Sequence, residues 1–322
     1  MDLHGIHHIT AVSGKIGQNA HFYTNVLGLR LVKKSVNQDD TSAYHLFYAD
    51  KVGSPGTDMT FFDWPHVARD VRGTDSIATT AFRVNGRDAL NYWQERLEEH
   101  GVAHKEIENF AGRDILRFYD PEGQRLMLVD DQGAAYEGEF WEEGGVPEEY
   151  ANRGFYAVML STPRLSNVEP ILTQVLQFTE LQRADFPDGR EVVIYEMGVG
   201  GPGREVWVME EPDANIARMG AGGVHHAAFR VRDSEEQKHW HERITSVGLP
   251  VSGFIDRYYF KSIYFRISNG ILFEIATDGP GFATDEDLES LGERLALPPF
   301  LEPHREQIEA GLKPIEVAPE AQ

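Results

Sequence analysis

The sequence predicts an α+β fold built from four βαβββ modules, and three observations carry that prediction. Opening strands of one pattern recur along the chain, each is followed by an amphipathic helix, and each module closes on a short apolar strand. The openings are Ile6-His7-His8-Ile9-Thr10, Ala78-Thr79-Thr80-Ala81-Phe82, Tyr156-Ala157-Val158-Met159-Leu160 and Val224-His225-His226-Ala227-Ala228. Taking His8, Thr80, Val158 and His226 as equivalent gives separations of 72, 78 and 68 residues.

In the first module Ile16, Ala20, Tyr23 and Leu27 fall at helical spacing and Gly28 stops the helix. Leu90, Trp93 and Leu97 do the same before Gly101, and Trp240, Ile244 and Val247 before Gly248; Val168, Leu172 and Val175 mark the third helix. The aromatic members of these stripes read as core. Closing strands are expected at 59–62, 126–129, 206–209 and 272–275. Gly, Pro, Asp and Glu cluster between modules, which gives spans of 1–70, 76–132, 153–211 and 222–280. The first two modules form an N-terminal domain, 1–150, and the last two, with a tail, a C-terminal domain, 151–322. The polar tail after residue 280, marked by Leu297-Pro298-Pro299-Phe300, is expected to hold a helix packed across the modules.

Composition narrows the function. The chain has 322 residues, 41% hydrophobic, with 52 acidic against 30 basic side chains and a net charge of −22. A surface so acidic repels phosphate backbones and anionic lipid, which argues against nucleic-acid and membrane partners. Only 8 of the basic residues are lysine, which fits either a high-salt habitat or an arginine-using cytosol. There is no cysteine, so disulfides, thiolate nucleophiles and Cys metal sites are excluded. Any metal must be held by His, Asp or Glu. The opening residues show no basic stretch followed by an apolar run, and a cytoplasmic protein is expected.

Two His-His pairs stand at the same place in the first and fourth modules. Chance gives about half a pair at this histidine content, so the position of the pairs says more than their number. Strand alternation puts His8 on a face with Thr10 and His226 on a face with Ala228, pointing into a cleft. By the same rule His7 and His225 share the opposite, apolar face under the helices. The plain alternative is a set of satisfied strand histidines. Against it stands Glu274, inside Ile271-Leu272-Phe273-Glu274-Ile275, where an unpaired charge is costly. Counting four residues from the glycine before each closing strand aligns Glu274 with Thr60, Met127 and Trp207, so only the fourth module carries a carboxylate. Two imidazoles and one carboxylate leave open metal positions, the donor set of non-haem Fe(II) oxygenases; hydrolytic zinc or a closed structural site fits less well.

The turn Ser268-Asn269-Gly270 sets what stands beside Glu274. A three-residue loop with Gly270 left-handed pairs Ile267 with Ile271 and hence Tyr264 with Glu274, whereas a two-residue loop turns Tyr264 away. The three-residue loop is the favoured reading. Arg257 lies further back, where it can face an anionic substrate oxygen; a barrel-wall tyrosine and a surface arginine are the alternatives for this pair.

These words resemble the vicinal-oxygen-chelate superfamily, in particular Gly5-Ile6-His7-His8-Ile9-Thr10, Phe22-Tyr23-Thr24-Asn25-Val26-Leu27-Gly28-Leu29, Gly53-Ser54-Pro55-Gly56-Thr57 and Gly222-Gly223-Val224-His225-His226-Ala227-Ala228-Phe229. They are most similar to its ring-cleaving, hydroquinone 1,2-dioxygenase-like branch, over nearly the whole chain. The resemblance implies two domains of paired βαβββ modules, Fe(II) on His8, His226 and Glu274 (with Mn, Ni or Zn as substitutes on purification), and Arg257 and Tyr264 approaching the substrate. It makes His225 and His7 supporting groups. It further implies a small dihydroxylated aromatic and O2 as reactants and a homodimer or higher homo-oligomer. A glyoxalase-type isomerase would need a fourth ligand where Thr60 stands, and a metal-free binding protein has no use for Glu274.

Overall fold

The structure, a computed structural model, describes residues 2–267 and 270–315. Module one supplies β1 (Ile6–Ser13), β2 (Arg30–Asn37), β3 (Asp40–Ala49) and β4 (Asp58–Asp63). Module two supplies β5 (Ser76–Val84), β6 (Glu108–Phe110), β7 (Arg113–Tyr119) and β8 (Arg125–Asp130). Module three supplies β9 (Phe155–Thr162), β10 (Thr179–Asp185), β11 (Glu191–Glu196) and β12 (Glu205–Glu210), and module four β13 (Val224–Val231), β14 (Ile255–Asp256), β15 (Lys261–Arg266) and β16 (Leu272–Thr277).

They form two curled eight-stranded sheets. One runs β14-β15-β16-β13-β1-β4-β3-β2, the other β10-β11-β12-β9-β5-β8-β7-β6. Module one therefore shares a sheet with module four, and two with three. Each half of the chain, divided at residue 150, contributes one module to each sheet. At each centre two opening strands run antiparallel, β1 with β13 and β5 with β9.

The expected helices form on one face of each sheet. The first is α1 (Ile16–His21), continued by a π-helical turn, Phe22–Val26. Gly28 ends it at φ +67°; a Cβ there would meet a Val146 methyl at 2.6 Å and the Gly144 carbonyl at 2.8 Å. Next come α2 (Gly86–Glu99) and α3 (Ser234–Ser246), the latter capped by the Asp233 carboxylate, which accepts from the Glu235 and Glu236 amides. The third helix is short: a 3₁₀ turn, Leu165–Asn167, precedes α-helical residues 169–170 that run into a π-helical turn, Ile171–Val175, and Val168, Leu172 and Val175 are buried. Tyr23, Trp93, Trp240, Ile9, Phe82 and Phe229 join in one core on the helix-covered faces. Among the described residues no helix is long and apolar enough to cross a membrane.

The tail departs from expectation in part. It ends in a short helix, α4 (Arg305–Gly311), which packs on module one, while the segment before that helix does span two modules: Phe282 lies against Phe47 of module one and Tyr259 of module four, whose hydroxyl donates to Asp285 at 3.0 Å. Leu297 and Ile308 meet Val36, and Leu295 bridges to Lys34. Lys33, fully buried, is held by Asp285 at 2.7 Å and by Glu286, with its ammonium over the Tyr259 ring. A buried cation is tolerable only with such partners, so this contact anchors the tail to β2.

Candidate metal centre

Ladder register decides which residues share a cup. Ile9 pairs with Ala227 in the first sheet, as Thr80 pairs with Val158 in the second, and all four face the helices. The residues equivalent to His8 and His226 are therefore Thr79 and Ala157; the alignment on Thr80 and Val158 is one residue out. The closing-strand column stands as expected: β16 pairs Glu274 with Ala228, β4 pairs Thr60 with Thr10, β8 pairs Met127 with Ala81, and β12 pairs Trp207 with Met159.

The His-His pairs also correct the sequence reading. The β1–β13 ladder skips one residue at His7 and one at His225. Each is the extra residue of a β-bulge, which breaks alternation and re-aims a side chain. His7 and His225 thus do not lie under the helices. His7 sits edge-on to His8 and beside Phe260, while His225 sits edge-on to His226 beside Phe62 and Trp64.

His8, His226 and Glu274 come together at the floor of the first cup, all buried. The two Nε2 atoms are 3.4 Å apart, and Glu274 Oε2 lies 3.2 Å from His8 Nε2 and 2.9 Å from His226 Nε2. Despite those distances Oε2 is not aligned as a hydrogen-bond acceptor to any donor. The other oxygen, Oε1, accepts from the Ser262 hydroxyl at 2.5 Å. Burial raises the carboxyl pKa, but the two imidazoles prevail and hold it well below the usual carboxylate range. Three lone-pair donors thus converge on one point, with Glu274 oriented to offer a single oxygen. This set fits a divalent metal.

Hydrogen bonds behind the imidazoles select the right tautomer. Burial, then the neighbouring imidazole of His8 or His226, pushes His7 and His225 down to about 3, so both are neutral near pH 7. His7 Nε2 lies 3.1 Å from the Thr277 carbonyl, which can only accept, so that nitrogen carries the proton. His7 Nδ1 must then accept from His8 Nδ1 at 2.9 Å, leaving His8 Nε2 unprotonated toward the shared point. The His225 and His226 Nδ1 atoms make the same contact at 2.7 Å.

Tyr264 pairs with Glu274 in the β15–β16 ladder, and Ile267 donates to the Ile271 carbonyl across the turn, where Gly270 has φ +96°. This is the register of the three-residue loop; Ser268 and Asn269 themselves lie outside the described residues. Arg257 Nε donates to the Tyr264 hydroxyl at 3.3 Å, and Arg257 Nη2 to Asp39 at 3.0 Å on the β2–β3 turn. Burial and the Glu274 charge raise the Tyr264 pKa, so the phenol keeps its proton.

Four residues of the site went unremarked in the sequence. Ser262 shares a face with Tyr264 by alternation and could have been found that way. His45 lines the cup between Phe47 and Phe62, its Nε2 2.9 Å from Thr60 Oγ1, which donates to Thr10 Oγ1. Asp58, on the face of Thr60, is buried with neither oxygen hydrogen-bonded, and burial pushes it up to about 7. Asp39 is an ordinary turn residue until the fold brings it to Arg257.

Known proteins share this fold and sequence. The chain is 50% identical over 317 residues to Bacillus subtilis (strain 168) MhqA, which carries the name ring-cleaving dioxygenase, covering 98% of this chain and all of that one. It is 30% identical over 313 residues to the chlorohydroquinone/hydroquinone 1,2-dioxygenase of Sphingobium indicum, covering 94% of each. A crystal structure described as that of a dioxygenase from Bacillus subtilis subsp. subtilis str. 168 matches with a TM-score of 0.90 at 39% identity, over 98% of both chains. Maize glyoxalase I shares the fold, with a TM-score of 0.62 at 15% identity over 85% of this chain and 92% of that one. The family profile matches residues 5–128 and 157–279, and the chain belongs to the Glyoxalase/Bleomycin resistance protein/Dioxygenase superfamily.

Proposed function

We propose that the protein is an Fe(II)-dependent ring-cleaving dioxygenase acting on a hydroquinone- or catechol-type aromatic with O2. The observation that carries this reading is the convergence of His8 Nε2, His226 Nε2 and Glu274 Oε2 in a cup with no fourth protein donor at Thr60, whose hydroxyl is bonded to Thr10 and His45. The names of the two relatives above agree with it. A divalent iron held by these residues supplies Lewis acidity toward a phenol and electron transfer between ring and dioxygen. The chain's other residues bind and orient. Phe47, Phe62, Phe260 and Tyr259 line the cup and suit a flat ring. The Arg257 guanidinium stabilises a phenolate. Tyr264 accepts from Arg257 and keeps its proton, which it can donate to a substrate oxygen. His7 and His225 position the metal-binding imidazoles.

The ring opens between the hydroxylated carbon and its neighbour, with both oxygen atoms incorporated. The substrate supplies the electrons, so no NAD(P)H is consumed. Protein loaded anaerobically with Fe(II) should take up one O2 per added hydroquinone and bleach the aromatic ultraviolet band, while Zn(II) protein should be inert. Absence of O2 uptake across hydroquinones and catechols would overturn the reading.

A further inference from the structure

The second sheet curls into a cup of its own, and that cup offers a different chemistry. At the positions of His8, His226, Thr60 and Glu274 it carries Thr79, Ala157, Met127 and Trp207. Part of it is filled, by Phe110, Tyr156 and Trp207 packed together. The rest stays hollow, a cavity of about 190 Å3 between modules two and three that reaches Thr79 and Met127. Met127, Met159, Met209 and Phe186 make its apolar floor, all buried. A cavity of about 150 Å3 is enough to hold a benzene ring.

The rim is cationic. Arg117 is paired with Glu108 and lies over the Phe186 ring, and Arg190 is paired with Asp188 and Glu211, the two carboxylates on the rim. Arg125 and Arg72 remain. Among the described residues neither has a carboxylate within ion-pair distance; Arg125 Nε donates to the Ala78 carbonyl at 2.7 Å and Arg72 Nη2 to the Gly123 carbonyl at 2.9 Å. Burial, then the charge of Arg72, lowers the pKa of Arg125, with Arg190 acting in the same sense and the more distant carboxylates of Glu211 and Asp70 against it. In a chain with 52 acidic residues, this arginine at the edge of an apolar cavity has no carboxylate paired with it among the described residues.

We propose that the second cup is a binding site for a small aromatic carboxylate, its ring on the methionine floor and its carboxylate on Arg125 and Arg72. Methionine suits this task because its flexible, polarizable side chain adapts to an aromatic face. Arginine supplies a forked, charge-assisted contact to a carboxylate. The site shares no residue with the metal cup and does not depend on the reaction proposed there.

Benzoate titrated calorimetrically into the full-length protein tests this, with benzamide as its neutral counterpart. One benzoate per chain should bind both wild-type and Glu274→Gln protein, which separates the site from the metal cup. Arg125→Gln should weaken binding by about tenfold or more, the cost of one charge-assisted contact, and benzamide should bind comparably weakly. Met209→Phe, which shrinks the floor, should weaken benzoate while leaving the charge in place, and it decides the matter if Arg125→Gln does not fold. The proposal is overturned if benzoate shows no saturable binding into the millimolar range, if Glu274→Gln abolishes binding, or if folded variants at both positions bind like wild type.

Discussion

The two cups are made by the same construction and differ in what lines them. Both have antiparallel opening strands at the centre, and both carry a bulge in each opening strand: at His7 and His225 in one, at Ala78 and Tyr156 in the other. In the first cup the positions that matter hold His8, His226 and Glu274; in the second they hold Thr79, Ala157 and Trp207. Trp207 is buried with its indole N–H donating to Glu205 at 2.7 Å, and Glu205 is held in turn by Arg113. The backbone is thus indifferent to the chemistry. A bulged strand pair aims adjacent side chains at one spot, and three side chains determine whether that spot can hold a metal or becomes core.

Removing the ligand set should have the largest effect. Glu274→Ala or His226→Ala should take bound metal from one per chain to background and abolish O2 uptake, with the far-ultraviolet circular dichroism unchanged. Metal analysis showing a second tightly bound ion in wild type would break the contrast between the cups. The matching change in the other cup, Trp207→Ala, should leave metal content alone and destabilise the protein by about 3–5 kcal/mol in urea unfolding.

Smaller effects test the supporting groups. Tyr264→Phe should keep metal and lower kcat by roughly tenfold to a hundredfold; loss of metal instead would mean that the phenol supports the ligands and not the substrate. His7→Phe removes the acceptor that fixes the His8 tautomer and should weaken metal affinity by about tenfold, measured by competition with a chelator.

The smallest effect concerns pH. Burial above all, with the neighbouring His8 and His226 imidazoles and the Arg257 guanidinium acting in the same sense, holds His45 well below its ordinary 6.5. The unfolded chain therefore binds a proton here that the folded chain refuses, and stability falls as pH drops below about 6.5. His45→Gln should flatten that part of the acid limb relative to wild type, read as urea midpoints at pH 8, 6 and 5. An unchanged acid limb would show that His45 is not the group responsible.

Much of this was legible in the chain. Module plan, helix stripes and closing strands are local patterns of period 3.6 and 2, and they appear where the periodicity puts them, the third helix being short. The Thr60, Met127, Trp207 and Glu274 column was legible because a closing strand keeps regular alternation from its preceding glycine. The opening strands were misread by one residue, and the inner histidines were put on the wrong face, because alternation assumes a regular ladder. A bulge belongs to two strands at once, and its partner strand lies about 80 residues away in one sheet and more than 200 in the other.

Sequence by itself determined the repeated module, the choice of His8, His226 and Glu274 as residues that could share one point, and the Tyr264–Glu274 register, since each follows from spacing within one strand, hairpin or repeat. Tertiary structure alone decided that module one joins module four, that the tail locks onto β2 through Lys33, that Asp39 reaches Arg257, and that His45 enters the site. Those are encounters between segments distant in sequence, selected by which faces bury together. No local period records them.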